Sequence, residues 1–211
     1  MLDQGRGPSG TFGPRCETAV VSDGPLAAVL AGGAGRRLGG AKPTALLAGR
    51  PLISYPLAAA RAAGFDVIVV AKVRSPLPPL DCEVVIEPDE PQHPLAGIVA
   101  AVQYAAGRDI LAIACDMPFL TAELLALLAA QQRSAAVQAD GVLQPLLARY
   151  AASDLPWLLA ALSERTSAIA ALEQIGAHAL AIDHLPNPRR LCLNVNSADD
   201  LQRAEREFAA G

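Results

Sequence analysis

The sequence predicts an α/β protein, a three-layer α/β/α arrangement around a mostly parallel, Rossmann-like sheet. Three observations predict it. Short apolar runs of strand length recur along the chain, among them Leu26 to Ala31, Val67 to Ala71 and Ile110 to Ala114. Segments of helical spacing separate them. The runs are apolar throughout rather than alternating, as strands covered on both faces are.

The elements follow in order. Residues 1–25, rich in Gly, Pro and Ser, read as a flexible leader, and 26–211 as a single domain. Leu26 to Ala31 is the first strand. Pro51 opens a helical segment through Ala63, and Gly64 stands where a C-cap is expected. Val67 to Ala71 and Val84 to Ile86 are β-rich runs. Pro94 to Ala106 reads as a helix stopped by Gly107, Ile110 to Ala114 as a buried strand, and Thr121 as the N-cap of a helix through Ala130. Asp140-Gly141 between Ala135 to Ala139 and Val142 to Tyr150 signals a hairpin. Helices are expected around Leu155 to Leu162 and Ser167 to Ile175. Strands follow at Ala179 to Ile182 and Leu191 to Val195, then a helix capped by Ser197 with Asp199 and Asp200 in its first turn.

Composition narrows the function. The 211 residues are 52% hydrophobic but only 4% aromatic, so the core is built from Ala, Leu, Val and Ile. A net charge of −4 argues against nucleic-acid binding, which needs a basic surface. No apolar run has membrane-spanning length, and no export signal opens the chain. The cysteines, Cys16, Cys82, Cys115 and Cys192, have neither zinc-ligand nor redox spacing, as expected of thiols in a cytoplasmic protein.

Ligands of such sheets sit at the carboxyl ends of the strands. Those exits are Gly32 onward, Ala71-Lys72, Glu87 to Asp89 and Cys115-Asp116: a glycine loop, a lysine and carboxylates. The stretch from Leu30 to Lys42 holds five glycines and the cations Arg36, Arg37 and Lys42. Glycines let backbone amides approach phosphate oxygens, and the cations add charge. A Walker loop is excluded because Pro43 follows Lys42. A dinucleotide fingerprint fails because Leu38 stands where its third glycine belongs, and Ala71-Lys72 replaces the acid ending the second strand. Asp116, after an apolar strand, suits Mg²⁺ bridging phosphates; the alternative is an aspartate that shapes a turn. Asn194 and Asn196 end the expected last strand, whose alternation puts both amides on one face where they can act together on a ligand, unless Asn196 only shapes the turn into Ser197.

These residues resemble the MobA-like nucleotidyltransferase family over roughly Leu26 to Glu207. The marks are Leu30 to Gly33, Arg36 to Gly39 and Lys42, then Gly49 to Leu52, Pro94 to Ile98, Asp116 to Pro118, Asp140-Gly141, Gln144 to Leu146, and Asn194 to Asn196 before Asp200-Leu201. Three of these motifs, Pro94 to Ile98, Gln144 to Leu146 and the paired asparagines, point to its molybdenum-cofactor branch. The resemblance implies a sheet of the nucleotide-diphospho-sugar transferase type. It implies transfer of GMP from Mg²⁺-GTP to molybdopterin with release of pyrophosphate. It carries nucleotide-binding roles to Leu30, Ala31, Gly32, Gly33, Gly35, Lys42, Ala71, Asp89 and Asp116, and catalytic roles to Lys42, Asp116 and Arg36. Asp116 would hold the metal, and Gln144, Asn194 and Asn196 the acceptor.

Two positions depart from the family pattern: Ala71 stands where asparagine is usual and His93 where glycine is. They leave the base open. A cytidylyl- or guanylyltransferase for another small phosphorylated acceptor, and a non-catalytic nucleotide-binding subunit, remain alternatives. A monomer is expected, with transient contacts to cofactor-biosynthesis proteins and none to nucleic acid or membrane.

Overall fold

A computed structural model describes residues 24–33 and 42–209. All but two residues of the expected leader therefore lie outside the described residues, as do Cys16, Gly35, Arg36 and Arg37. Among the described residues a seven-stranded sheet runs in the order β5-β4-β1-β6-β8-β7-β9. Its strands are β1 (Leu26–Leu30), β4 (Val67–Ala71), β5 (Glu83–Ile86), β6 (Ile110–Ala114), β7 (Ala135–Ala139), β8 (Val142–Tyr150) and β9 (His178–Ala181). The pairs β1–β4, β1–β6, β4–β5 and β7–β9 are parallel, whereas β8 runs antiparallel to both β6 and β7.

Alternation along the strands builds the two cores. On one face Ala27, Val29, Val69, Leu111 and Ile113 pack against Leu57 of α1 (Ser54–Ala62) and Leu124 and Leu128 of α3 (Ala122–Ala129). On the other face Ala28, Ile68, Val70 and Ala112 meet Leu95, Ile98 and Val102 of α2 (Pro94–Tyr104). Leu158 of α4 (Leu155–Ser163) and Leu172 of α5 (Ala168–Gln174) join them. Small strand residues such as Ala28 and Ala112 let helices approach closely, which suits a chain with few aromatic rings to fill the space.

Caps and turns follow the sequence. The hydroxyl of Thr121 accepts from the Leu124 amide (3.3 Å) and that of Ser197 from the Asp200 amide (3.2 Å), the latter opening α7 (Ala198–Ala209). Asp140 and Gly141 both adopt positive φ, 50° and 75°, as a two-residue hairpin between twisted strands requires.

Two expectations are corrected. The first helix begins at Ser54 rather than Pro51, because Arg50–Pro51 (β3) pairs antiparallel with Leu46–Leu47 (β2). Leu191 to Val195 is not a strand. Pro188–Leu191 forms the short helix α6, entered through Asn187 at φ 52°, and residues 192–197 pass on without a ladder. The buried Leu193 and Val195 pack with Leu47, Leu52, Tyr55 and Phe119 in a third cluster beside the sheet. Their apolar alternation reflects that cluster, not a strand face.

Candidate active site

The carboxyl ends of the parallel strands open into a cavity of about 640 Å³. Each strand contributes as it exits: Gly32 and Gly33 after β1, Lys72 after β4, Glu87 after β5, and Cys115 and Asp116 after β6. Gln144 of β8 and Asn194 and Asn196 from the segment before α7 close the opposite wall. Parallel pairing brings these residues together. Backbone hydrogen bonds on both sides of β1 keep the strand ends level: Ala31 N donates to Val70 O (2.7 Å), and Cys115 N to Leu30 O (3.2 Å).

The floor of the cavity is a charged cluster. Asp116, 5% exposed, pairs with Lys42 at 2.6 Å, and the same ammonium donates to Asn196 Oδ1 at 2.6 Å. The Asp116 carbonyl meanwhile accepts from the Val195 amide (2.9 Å), which fixes the asparagine segment to the end of β6. Lys42 opens a one-turn 3₁₀ segment, Lys42–Thr44, anchored by buried Pro43. Three stretches far apart in sequence thus converge on one ammonium group.

At the other end sits Glu87, 6% exposed. Its carboxylate lies so close to two backbones that a Cβ on Gly32 would fall 1.7 Å from Oε1, and one on Gly97 would fall 2.7 Å from Oε2. Glycine at both positions is what gives the carboxylate room. Burial pushes the Glu87 carboxyl above its ordinary range, and Lys72 pulls it part of the way back. Lys72 Nζ lies 3.7 Å from Glu87 Oε1 and donates to the carbonyls of Pro88 (2.7 Å) and Asp89 (2.9 Å). His93 caps α2: its Nδ1 accepts from the Leu95 amide at 3.2 Å, so the ring carries its proton on Nε2.

Of the residues expected in the site, Leu30, Gly32, Gly33, Lys42, Asp116, Gln144, Asn194 and Asn196 line this cavity. Ala31 and Ala71 are buried behind it, and Ala71 acts only through its carbonyl, which accepts from the Glu87 amide (2.9 Å). Asp89 is exposed and meets Lys72 only with its backbone; the acid in the cavity is Glu87. Gly35 and Arg36 lie outside the described residues. The exit Glu87 to Asp89 offers two acids, and the one expected as a nucleotide ligand, Asp89, does not line the cavity whereas Glu87 does. Lys72, one of the strand exits expected at this edge, and His93, a departure from the family pattern, both line the cavity.

The donor set bears on metal binding. Among the described residues no group of three or more His, Cys, Asp or Glu is arranged to hold an ion. One carboxylate, Asp116, beside an amide oxygen, Asn196 Oδ1, fits Mg²⁺ that shares its shell with phosphates and water, rather than an ion caged by protein alone.

A glycine-lined strand end and a buried cation–carboxylate pair at the carboxyl edge of the sheet suit a site that binds phosphates. Comparison with known proteins agrees. Residues 27–180 match the family described as the MobA-like NTP transferase domain. A molybdenum cofactor guanylyltransferase of Cereibacter sphaeroides is 33% identical over 193 residues, covering 84% of this chain and 93% of the relative. A probable molybdenum cofactor guanylyltransferase of Thermococcus kodakarensis is 31% identical over 189 residues, covering 84% and 92%. Among solved structures, molybdopterin-guanine dinucleotide biosynthesis protein A from Archaeoglobus fulgidus superposes with a TM-score of 0.73 at 27% identity, over 88% of this chain and all of that one. The chain belongs to the MobA-like NTP transferase family, and it is a nucleotidyltransferase.

Proposed function

We propose that this enzyme transfers GMP from Mg²⁺-GTP to the terminal phosphate of molybdopterin and releases pyrophosphate. The observation that carries the reading is the convergence of Lys42, Asp116 and Asn196 on the cavity floor, between the glycine-lined donor end and the wall formed by Gln144 and Asn194. The names of the relatives supply the nucleotide and the acceptor.

In this mechanism the acceptor's phosphate oxygen forms a bond to the α-phosphorus while the bond to the β-phosphate oxygen breaks. The attacking phosphate is already anionic, so no side chain needs to remove a proton. Catalysis rests on alignment and charge neutralisation. Lys42 neutralises charge on the triphosphate. Asp116, with Asn196, would hold Mg²⁺, which when bound draws the phosphates together and stabilises the leaving pyrophosphate. Gln144, Asn194 and Asn196 orient the acceptor with neutral amides that donate to phosphate oxygens without adding negative charge. The glycine backbone at Gly32 and Gly33 allows close approach of the nucleotide.

The reading includes a monomer acting in the cytoplasm. Among the described residues no helix is long and apolar enough to cross a membrane. The test is pyrophosphate release with GTP, CTP, UTP and ATP, each crossed with molybdopterin and with simple phosphorylated acceptors. The proposal expects turnover for GTP with molybdopterin; equal or faster turnover with another pair would reassign the substrates.

A further inference from the structure

The donor end of the cavity contains a charged pair that the reaction itself does not require. Glu87 and Lys72 both line the cavity, about the exits of β5 and β4, on the far side from the Lys42–Asp116 floor. The Glu87 carboxylate lies close against the backbones at Gly32 and Gly97, where no Cβ intrudes. Lys72 donates to the carbonyls of Pro88 and Asp89, and its ammonium also faces the Glu87 carboxylate within the cavity. The result is two adjacent acceptors beside one donor, the ammonium being 3.7 Å from the nearer carboxylate oxygen.

Among the four common bases, only guanine presents the complement of that row. Its N1–H and N2–H₂ are neighbouring donors, and O6 beside them is an acceptor. Cytosine offers one donor next to two acceptors. Uracil has one donor flanked by acceptors, which would set a carbonyl against a carboxylate oxygen. Adenine pairs its single amino group with an acceptor ring nitrogen. A buried carboxylate facing any of these would leave a charged oxygen unpaired, which is what makes such a site selective.

Resting on the nucleotidyl-transfer reading above, we infer that Lys72 is the specificity-determining residue for the donor base, donating to guanine O6 while Glu87 accepts from N1–H and N2–H₂. Leu30 and Pro94, which line the cavity around the pair, give the ring apolar surface. Selection of guanine is thereby restored by a residue next to Ala71, the position where an amide side chain was expected.

Binding calorimetry on the full chain with Mg²⁺, without acceptor, tests this. With the unaltered protein, ITP lacks the N2 amino group, and 2-aminopurine riboside triphosphate lacks both O6 and the N1 proton. Each is expected to bind about 10- to 100-fold more weakly than GTP. Glu87→Gln should erase the GTP-over-ITP gap. Lys72→Met should weaken GTP and ITP alike by about 10- to 100-fold, leave ATP and CTP nearly unchanged, and be rescued in part by Lys72→Arg. Equal affinity of the unaltered chain for GTP and both analogues overturns the inference whether or not the variants fold. A uniform loss for all four nucleotides in Lys72→Met and Glu87→Gln also overturns it, by assigning the pair to ribose or phosphate. Indifference to the base sinks this inference alone; selective GTP binding without pyrophosphate release sinks the proposed reaction alone.

Discussion

Replacing Gly32 with alanine probes how the donor end is built. An alanine Cβ there would lie 1.7 Å from Glu87 Oε1 and 2.6 Å from its carboxyl carbon. Ordinary contact is about 3.5 Å, so the carboxylate must retreat by roughly 2 Å. The clash is with the far end of a flexible side chain, so the fold survives, but the carboxylate leaves its place beside Lys72. Each charged hydrogen bond to the ligand contributes about 1.5–3 kcal/mol, and Glu87 accepts two, so its displacement weakens GTP by roughly 10- to 100-fold or more. Gly32 also lines the cavity, so steric exclusion of the nucleotide is a rival explanation, and a double-mutant cycle separates the two. Measured by calorimetry, Gly32→Ala on a Glu87→Ala background should cost little further affinity, because the clashing carboxylate is gone. Full additivity of the two losses would refute the displacement. A Gly32→Ala protein that binds GTP normally would refute it more simply.

Other outcomes follow from the same geometry. Asp116→Asn should cut turnover by about 100-fold or more while circular dichroism stays native; near-normal rates would remove Asp116 from the reaction. Lys42→Ala should weaken triphosphate binding by about 10- to 100-fold, and unchanged affinity would detach the floor cluster from the phosphates. Ser134→Ala, remote from the site, strands the Ala151 amide and the Asp154 carboxylate that its hydroxyl now serves. It should cost about 1–3 kcal/mol in urea unfolding with kinetics intact. Burial pushes the Cys115 thiol to about 12 and the Cys192 thiol to about 11, from an ordinary 9.0. Unfolded thiols therefore ionise above pH 9 while the folded ones keep their protons. Stability present below pH 9 should fall as pH rises towards 11 and 12, by up to about 1.4 kcal/mol per pH unit for each thiol. Equal unfolding midpoints at pH 8 and pH 10 would contradict this.

Much of the fold was legible because it depends on local signals. Continuous apolar runs marked β1, β4 and β6, and Asp140-Gly141 marked the hairpin by its backbone requirement. Leu191 to Val195 misled because apolar alternation reports burial on one side, and a cluster beside the sheet buries that side as well as a neighbouring strand would. The two-residue pairing of Leu46–Leu47 with Arg50–Pro51 is too short to leave a pattern.

The site divided in the same way. Lys42, Asp116 and the asparagines were legible because each stands at a strand exit or in a motif. Glu87 was obscured by the second acid two residues on, and only the room left by Gly32 and Gly97 shows which carboxylate enters the cavity. Lys72 was marked by its strand exit alone; its partnership with Glu87 comes from pairing across parallel strands, which sets the β4 and β5 exits side by side.

The most direct test of the central claim is to follow α-labelled GTP with molybdopterin and Mg²⁺, counting pyrophosphate released against GMP joined to the acceptor. The account predicts a one-to-one yield that chelation of the metal stops and Asp116→Asn largely removes. GTP that binds tightly but yields neither pyrophosphate nor a guanylylated pterin would contradict it.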